Sequence, residues 1–188
     1  MIILNNLSDL VECQKNFQIR VKNNIPQNDF VSFDNVQESL KHNFFQEVEF
    51  QEFFEADTID EQREELIDYL LFLVNKFIFL GVDVKDVDQP LDGLLWSFKS
   101  NSSFSIIDSF SRLEQNSYIS FIRNHTIYKP WKSHDNISCV DGFSNEYFIK
   151  SLDYYRNISN IMFDSYNQFY EFLIKKLDIN IYRQNNNY

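Results

Sequence analysis

Residues 49–81 read EFQEFFEADTIDEQREELIDYLLFLVNKFIFLG, and two helices joined by a tight turn are written into that stretch. Thr58 followed three residues on by Glu61 is a capping-box pattern, which starts a helix. Gly81 stands where a glycine that ends a helix is expected. The preceding helical pattern runs to Glu55, so the turn spans only Ala56 to Ile59, and two helices joined so briefly must lie antiparallel and touch. From Tyr69 to Leu80 the second helix is apolar on nearly every side, interrupted at Asn75 and Lys76, as expected of the central helix of a bundle.

Acidic residues punctuate this pair at a regular spacing. Glu49 and Glu52 stand i, i+3 on the first helix, and after twelve intervening residues Glu65 and Asp68 stand i, i+3 on the second. Residues three apart share a helix face, with Cβ atoms roughly 5–6 Å apart, so face-to-face packing brings four carboxylates together. Like charges in contact repel by about 1 kcal/mol in water and several times that at a protein-like dielectric. Arg63 alone does not neutralise four of them, and a hard divalent cation is the natural counter-charge. A solvated helix face is the competing reading. Against it, the second pair runs directly into the apolar stretch, where ionised carboxylates are seldom left without a partner.

The rest of the chain fits the same class. Of 188 residues, 44% are hydrophobic, with 20 Phe and 10 Tyr against three Gly and three Pro, which suits long helices and leaves little turn chemistry for a many-stranded sheet. The expectation is an all-α helical bundle forming one domain over residues 1–188, with a core of about residues 8–83 and additional helices over 91–177. A first helix is predicted from Ser8 to Lys22, capped by Ser8 or Asp9. Asp34 with Gln37 predicts the start of the helix that continues through Glu55. Further helices are expected at Leu91 to Phe98, at Phe104 to Asn124 and, as one or two, over Asn145 to Leu177, with an ordered loop from Thr126 to Gly142.

A formal charge of −11 argues against sequence-independent binding to nucleic acid or to anionic membranes, both of which need Lys and Arg. Met1 to Asn6 lacks the basic region and the length of a signal peptide, and no run is long enough to span a membrane, so a soluble cytoplasmic protein is expected. Cys13 and Cys139 have no metal spacing; reduced thiols are the simpler reading, and a disulfide between them is the other. His42, His125 and His134 are scattered away from the acidic pairs, which disfavours a zinc site or a histidine base.

These residues carry a family resemblance. Glu-x-x-Glu, twelve residues, then Glu-x-x-Asp resembles the signature of the all-α nucleoside triphosphate pyrophosphatases, the superfamily of MazG and the dimeric dUTPases. Glu64 to Asn75, continuing to Leu80-Gly81-Val82-Asp83, resembles the second metal-binding helix of that superfamily, including an Asn seven residues after the Asp. The i, i+7 step keeps Asn75 on the carboxylate stripe. Leu10-Val11-Glu12-Cys13-Gln14-Lys15-Asn16-Phe17 resembles the first helix of the dimeric dUTPases, where a Gln helps read the uracil. The matched segments run from about Ser8 to Asp83. A Tyr-Lys-Asp-Gly core, usual later in dimeric dUTPases, has its nearest counterpart in Tyr128-Lys129-Pro130-Trp131, where Tyr-Lys matches and Asp-Gly does not.

The resemblance implies hydrolysis of a deoxynucleoside triphosphate, dUTP first among them, between the α and β phosphates by a homodimer. It implies Glu49, Glu52, Glu65 and Asp68 as ligands of two or more Mg²⁺ ions, for which Mn²⁺ can substitute, with Glu49 orienting the attacking water. Arg123, Lys129 and Lys132 are candidates for holding the pyrophosphate, Trp131 for stacking on the base, and Gln14, Gln18 and Asn75 for further substrate contacts. Each has a plainer alternative: loop solubility for the cations, anchoring of the loop for Trp131, solvent for the glutamines. Glu55, Glu61 and Glu64 are either spare ligands or exposed helix charges. Two other functions fit the same residues, a broader MazG-like pyrophosphatase and a non-catalytic helical protein that binds a partner through its Phe and Tyr side chains.

Overall fold

A computed structural model describes residues 2–21, 31–82, 90–92, 104–125 and 143–186. The described residues form six helices: α1 (Leu7–Arg20), α2 (Phe33–Glu55), α3 (Ile59–Ile78), α4 (Phe104–His125), α5 (Phe143–Met162) and α6 (Tyr166–Asn185). The class is all-α. No described helix is long and apolar enough to cross a membrane. The expected loop from Thr126 to Gly142 lies outside the described residues, and of the short helix expected at Leu91 only Leu91 and Asp92 are described, both helical.

Local chemistry sets the helix ends. Thr58 Oγ1 accepts from Glu61 N at 3.2 Å while Glu61 Oε2 accepts from Thr58 N at 3.0 Å, the reciprocal box predicted for the start of α3. At its other end Gly81 takes φ +76°, and Val82 N bonds Phe77 O at 3.2 Å while Gly81 N bonds Ile78 O at 3.1 Å. This is a Schellman closure, in which glycine relieves the left-handed turn. The other two predicted caps are displaced. Asn6, not Ser8 or Asp9, caps α1, with Asp9 in the third helical position answering back; Ser32, not Asp34, caps α2, with Asn35 in that role. In both places two overlapping polar patterns compete. The upstream residue wins, and Asp34 is left exposed in the first turn, where a negative charge suits the helix dipole.

Helix α3 is the hub. Leu66, Ile67, Leu70, Leu73, Val74 and Phe77 are all buried, and one hydrophobic cluster extends from Leu4 to Leu177 through every helix. Ser39 Oγ donates to Lys76 O at 2.6 Å and the Phe50 ring lies 5.5 Å from Tyr69, so α2 runs antiparallel to α3. Helix α5 is antiparallel too: Phe148 meets Phe77 at 5.2 Å, Tyr155 stacks on Tyr69 at 6.1 Å and Met162 O accepts from Arg63 Nε at 2.9 Å. Only Phe163 to Ser165 separate α5 from α6, whose cap Ser165 accepts from Gln168 N at 3.2 Å, so the expected carboxy-terminal segment is two helices.

Lys76, which breaks the apolar run of α3 in the sequence, is fully buried. Its ammonium donates to Gln46 Oε1 and Glu114 Oε1 at 2.7 Å each and to Asn43 Oδ1 at 3.2 Å, and it stands 4.3 Å from the Tyr118 ring centroid. Burial pulls the Lys76 pKa down and Glu114 works against that. All three ammonium donors are satisfied, as a buried charge requires.

Candidate metal centre

The turn after Glu55 folds α2 onto α3 and sets their acidic residues opposite one another. Glu49, Glu65 and Asp68 each present a carboxylate oxygen within 4.8 Å of the others. All three are half-buried. Glu49 is hydrogen-bonded to Glu65, and burial, followed by the charges of Asp68 and Glu52, pushes its pKa up to about 8. Burial and Asp68 also raise Glu65, although the Glu49 hydrogen bond opposes them. At neutral pH Glu49 therefore holds a proton and donates it toward Glu65, which relieves part of the crowding.

Glu52 lies outside this triad on the exposed side of α2, close enough for its charge to raise both Glu49 and Glu65. The neighbouring acids are engaged elsewhere. Glu55 accepts from Gln51 Nε2 at 3.0 Å, Glu61 caps α3 and Glu64 pairs with Lys175 at 2.5 Å. Arg63 turns away from the cluster to Met162 O, Asp60 and Asp164.

Positive charge arrives from a helix the sequence did not single out. Lys176 of α6 forms a close salt bridge with Asp68, and Arg183, two turns further along, also acts on that carboxylate. Even so, burial outweighs both cations and Asp68 stays raised. The signal available was an i, i+7 pair of cations on an amphipathic helix. Such a pair is usually a solvated face, and only the packing of α6 on α3 brings it to Asp68.

The glutamines of α1 do not face water. Gln14 and Gln18 are both 2% exposed. Gln14 lines a crevice of about 190 Å³ between α1 and α6 with Asn16, Arg20, Asn180 and Gln184, beginning one residue past Lys176 at Leu177. Asn75 is buried, and its Oδ1 has no hydrogen-bond partner among the described residues. Arg123 stands exposed in the last turn of α4, beyond the level where Tyr118 meets Phe77, and the structure does not bring it to the triad. Lys129, Trp131 and Lys132 lie outside the described residues. His42 is sandwiched among aromatics, 5.2 Å from Phe79 and 5.7 Å from Phe72, and burial lowers its pKa to about 4.

The donor set of the triad is all carboxylate oxygen, gathered from two helices and crowded enough that one member takes up a proton. Hard oxygen ligands at this density fit Mg²⁺ or Mn²⁺ and are poor ligands for softer metals. No family model, curated protein or solved structure matches this chain.

Proposed function

We propose that this chain is a Mg²⁺-dependent nucleoside triphosphate pyrophosphatase that hydrolyses a deoxynucleoside triphosphate, dUTP above all, to the monophosphate and pyrophosphate. One observation carries the proposal: Glu49, Glu65 and Asp68, members of the two acidic motifs, converge within 4.8 Å on paired helices. These three, with Glu52 at the rim, would hold the metal ions, and Mn²⁺ would replace Mg²⁺. When bound, such ions neutralise phosphate oxygens and lower the pKa of water. Glu49 is the group to orient the attacking water, a role open to it once bound ions displace the proton that burial and its acidic neighbours make it hold in their absence. Asn75 offers an amide oxygen without a partner among the described residues on the same stripe, and Gln14, which lines the crevice between α1 and α6, would offer its amide to a pyrimidine edge. The proposed enzyme is a homodimer, with the neighbouring exposed rings of Phe44 and Phe45 on α2, 6.1 Å apart, as the aromatic surface that supports association.

Incubation with each deoxynucleoside triphosphate and Mg²⁺ tests this reading. Pyrophosphate release from dUTP is expected, reduced by at least about a hundredfold in Glu65→Gln plus Asp68→Asn, since ligand loss exceeds the 10–100-fold cost typical of outer-shell changes. No cleavage of any nucleotide would refute the enzyme. Comparable cleavage of several would favour the broader MazG-like activity, for which the Pro130-Trp131 pair in place of Asp-Gly speaks.

A further inference from the structure

Among the described cations, Lys176 is the one whose ammonium enters the triad. Its side chain and that of Asp68 are only 18% and 15% exposed, whereas the adjacent Lys175–Glu64 pair lies out at 60% and 36%. A buried-edge ion pair of this kind is held by its surroundings, while the outer one is screened and weak. An ion that uses Asp68 together with Glu49 and Glu65 would place a double positive charge beside the ammonium, and the two would repel strongly in so little solvent. Lysine is built to yield. Its compact charge rides on a flexible four-carbon stem that can swing away from Asp68, while the Arg183 side chain, further along α6, leans back toward it as helical side chains do.

We propose that Lys176 is the resident counter-ion of the carboxylate triad, displaced from Asp68 when a divalent cation binds and then, beside Arg183, a ligand for the phosphate chain of the substrate. This rests on the metal-dependent reading above and adds an exchange step to it. Lys176 and Arg183 stand i, i+7 on one face of α6, so the freed ammonium and the guanidinium line the same side of the site. Guanidinium and ammonium groups are the usual partners of phosphate oxygens. Metal and Lys176 thus compete for Asp68, yet metal and Lys176 cooperate on a polyphosphate. A lysine that merely tied α6 to α3 would neither leave Asp68 when metal binds nor help to hold a polyphosphate.

The test measures two affinities by calorimetry, Mn²⁺ alone and then inorganic pyrophosphate at saturating Mg²⁺, for wild type, Lys176→Gln, Lys176→Arg and Lys175→Gln. In Lys176→Gln, Mn²⁺ is expected to bind about tenfold tighter and pyrophosphate about tenfold weaker, a typical coupling between sites. Lys175→Gln should match wild type in both, and Lys176→Arg should restore pyrophosphate binding. Unchanged or weaker Mn²⁺ binding in Lys176→Gln, with wild type binding normally, overturns the exchange and leaves the metal centre standing; failure of every form to bind Mn²⁺ overturns both. A second measurement needs no variant. Amine-reactive labelling of the wild-type chain should rise severalfold at Lys176 on adding Mn²⁺ and stay level at Lys175, and unchanged labelling of Lys176 refutes its displacement.

Discussion

Glu49 concentrates the electrostatics of the site in one proton. Its folded-state pKa of about 8 lies above the ordinary 4.5, so the folded protein keeps a proton that the unfolded chain releases. Stability from that proton is complete below about pH 4.5 and is lost as pH rises through 8. Glu65 and Asp68 are raised and act in the same direction. His42, lowered to about 4 from 6.5, acts oppositely but only below pH 6.5, so the window from 6.5 to 8 belongs to the carboxylates. Melting temperatures of the metal-free protein should fall across that window, and Glu49→Gln should flatten the decline; a flat wild-type profile would contradict the clustering. A second residue-scale prediction concerns Lys76. Lys76→Met leaves Glu114 buried without its cation and should cost about 3–5 kcal/mol in urea unfolding, with Lys76→Met plus Glu114→Leu costing less than the sum of the single changes. The triad was legible because i, i+3 spacing reports a shared helix face. The partner of Lys76 was not, because Glu114 lies 38 positions away and only tertiary packing joins them.

Helix starts show why element boundaries are harder to read than elements. Thr58 was legible because Thr58 with Glu61 has the Ser/Thr-x-x-Glu/Gln form of the box; at Asn6 and Ser32 the third-position partners are Asp9 and Asn35, outside that form, and the downstream Glu12 and Gln37 point to other caps. The structure separates them by a measurable difference. Ser32→Ala should destabilise the protein by about 1 kcal/mol, the usual worth of a cap. Asp34→Ala should cost only about 0.3 kcal/mol, the lower end of a dipole interaction at an exposed helix end. Equal losses on chemical denaturation would reassign the cap. The same limit hid the role of α6, since Lys176 and Arg183 carry no pattern that distinguishes a pair facing Asp68 from a pair facing water.

At the scale of the molecule, the helices beyond residue 90 are not appendages to a finished core. Phe148, Leu152, Tyr155, Phe169 and Leu173 belong to the same hydrophobic cluster as Leu10 and Leu70, and α6 brings the cation that meets Asp68. The all-α class was legible from composition and from the central apolar helix. The order of packing around it was not, because a helix's apolar stripe says which face is buried and not against what. Phe44 at 60% and Phe45 at 42% exposure supply the surface for the proposed dimer. Sedimentation should give the mass of two chains, and Phe44→Ser plus Phe45→Ser should give one; a monomeric wild type would refute the dimer. The central claim, that the triad serves cleavage between the α and β phosphates, is tested most directly by phosphorus NMR of dUTP with Mg²⁺ and the protein. The predicted result is dUMP and pyrophosphate appearing together, and their absence, or dUDP with orthophosphate in their place, would contradict it.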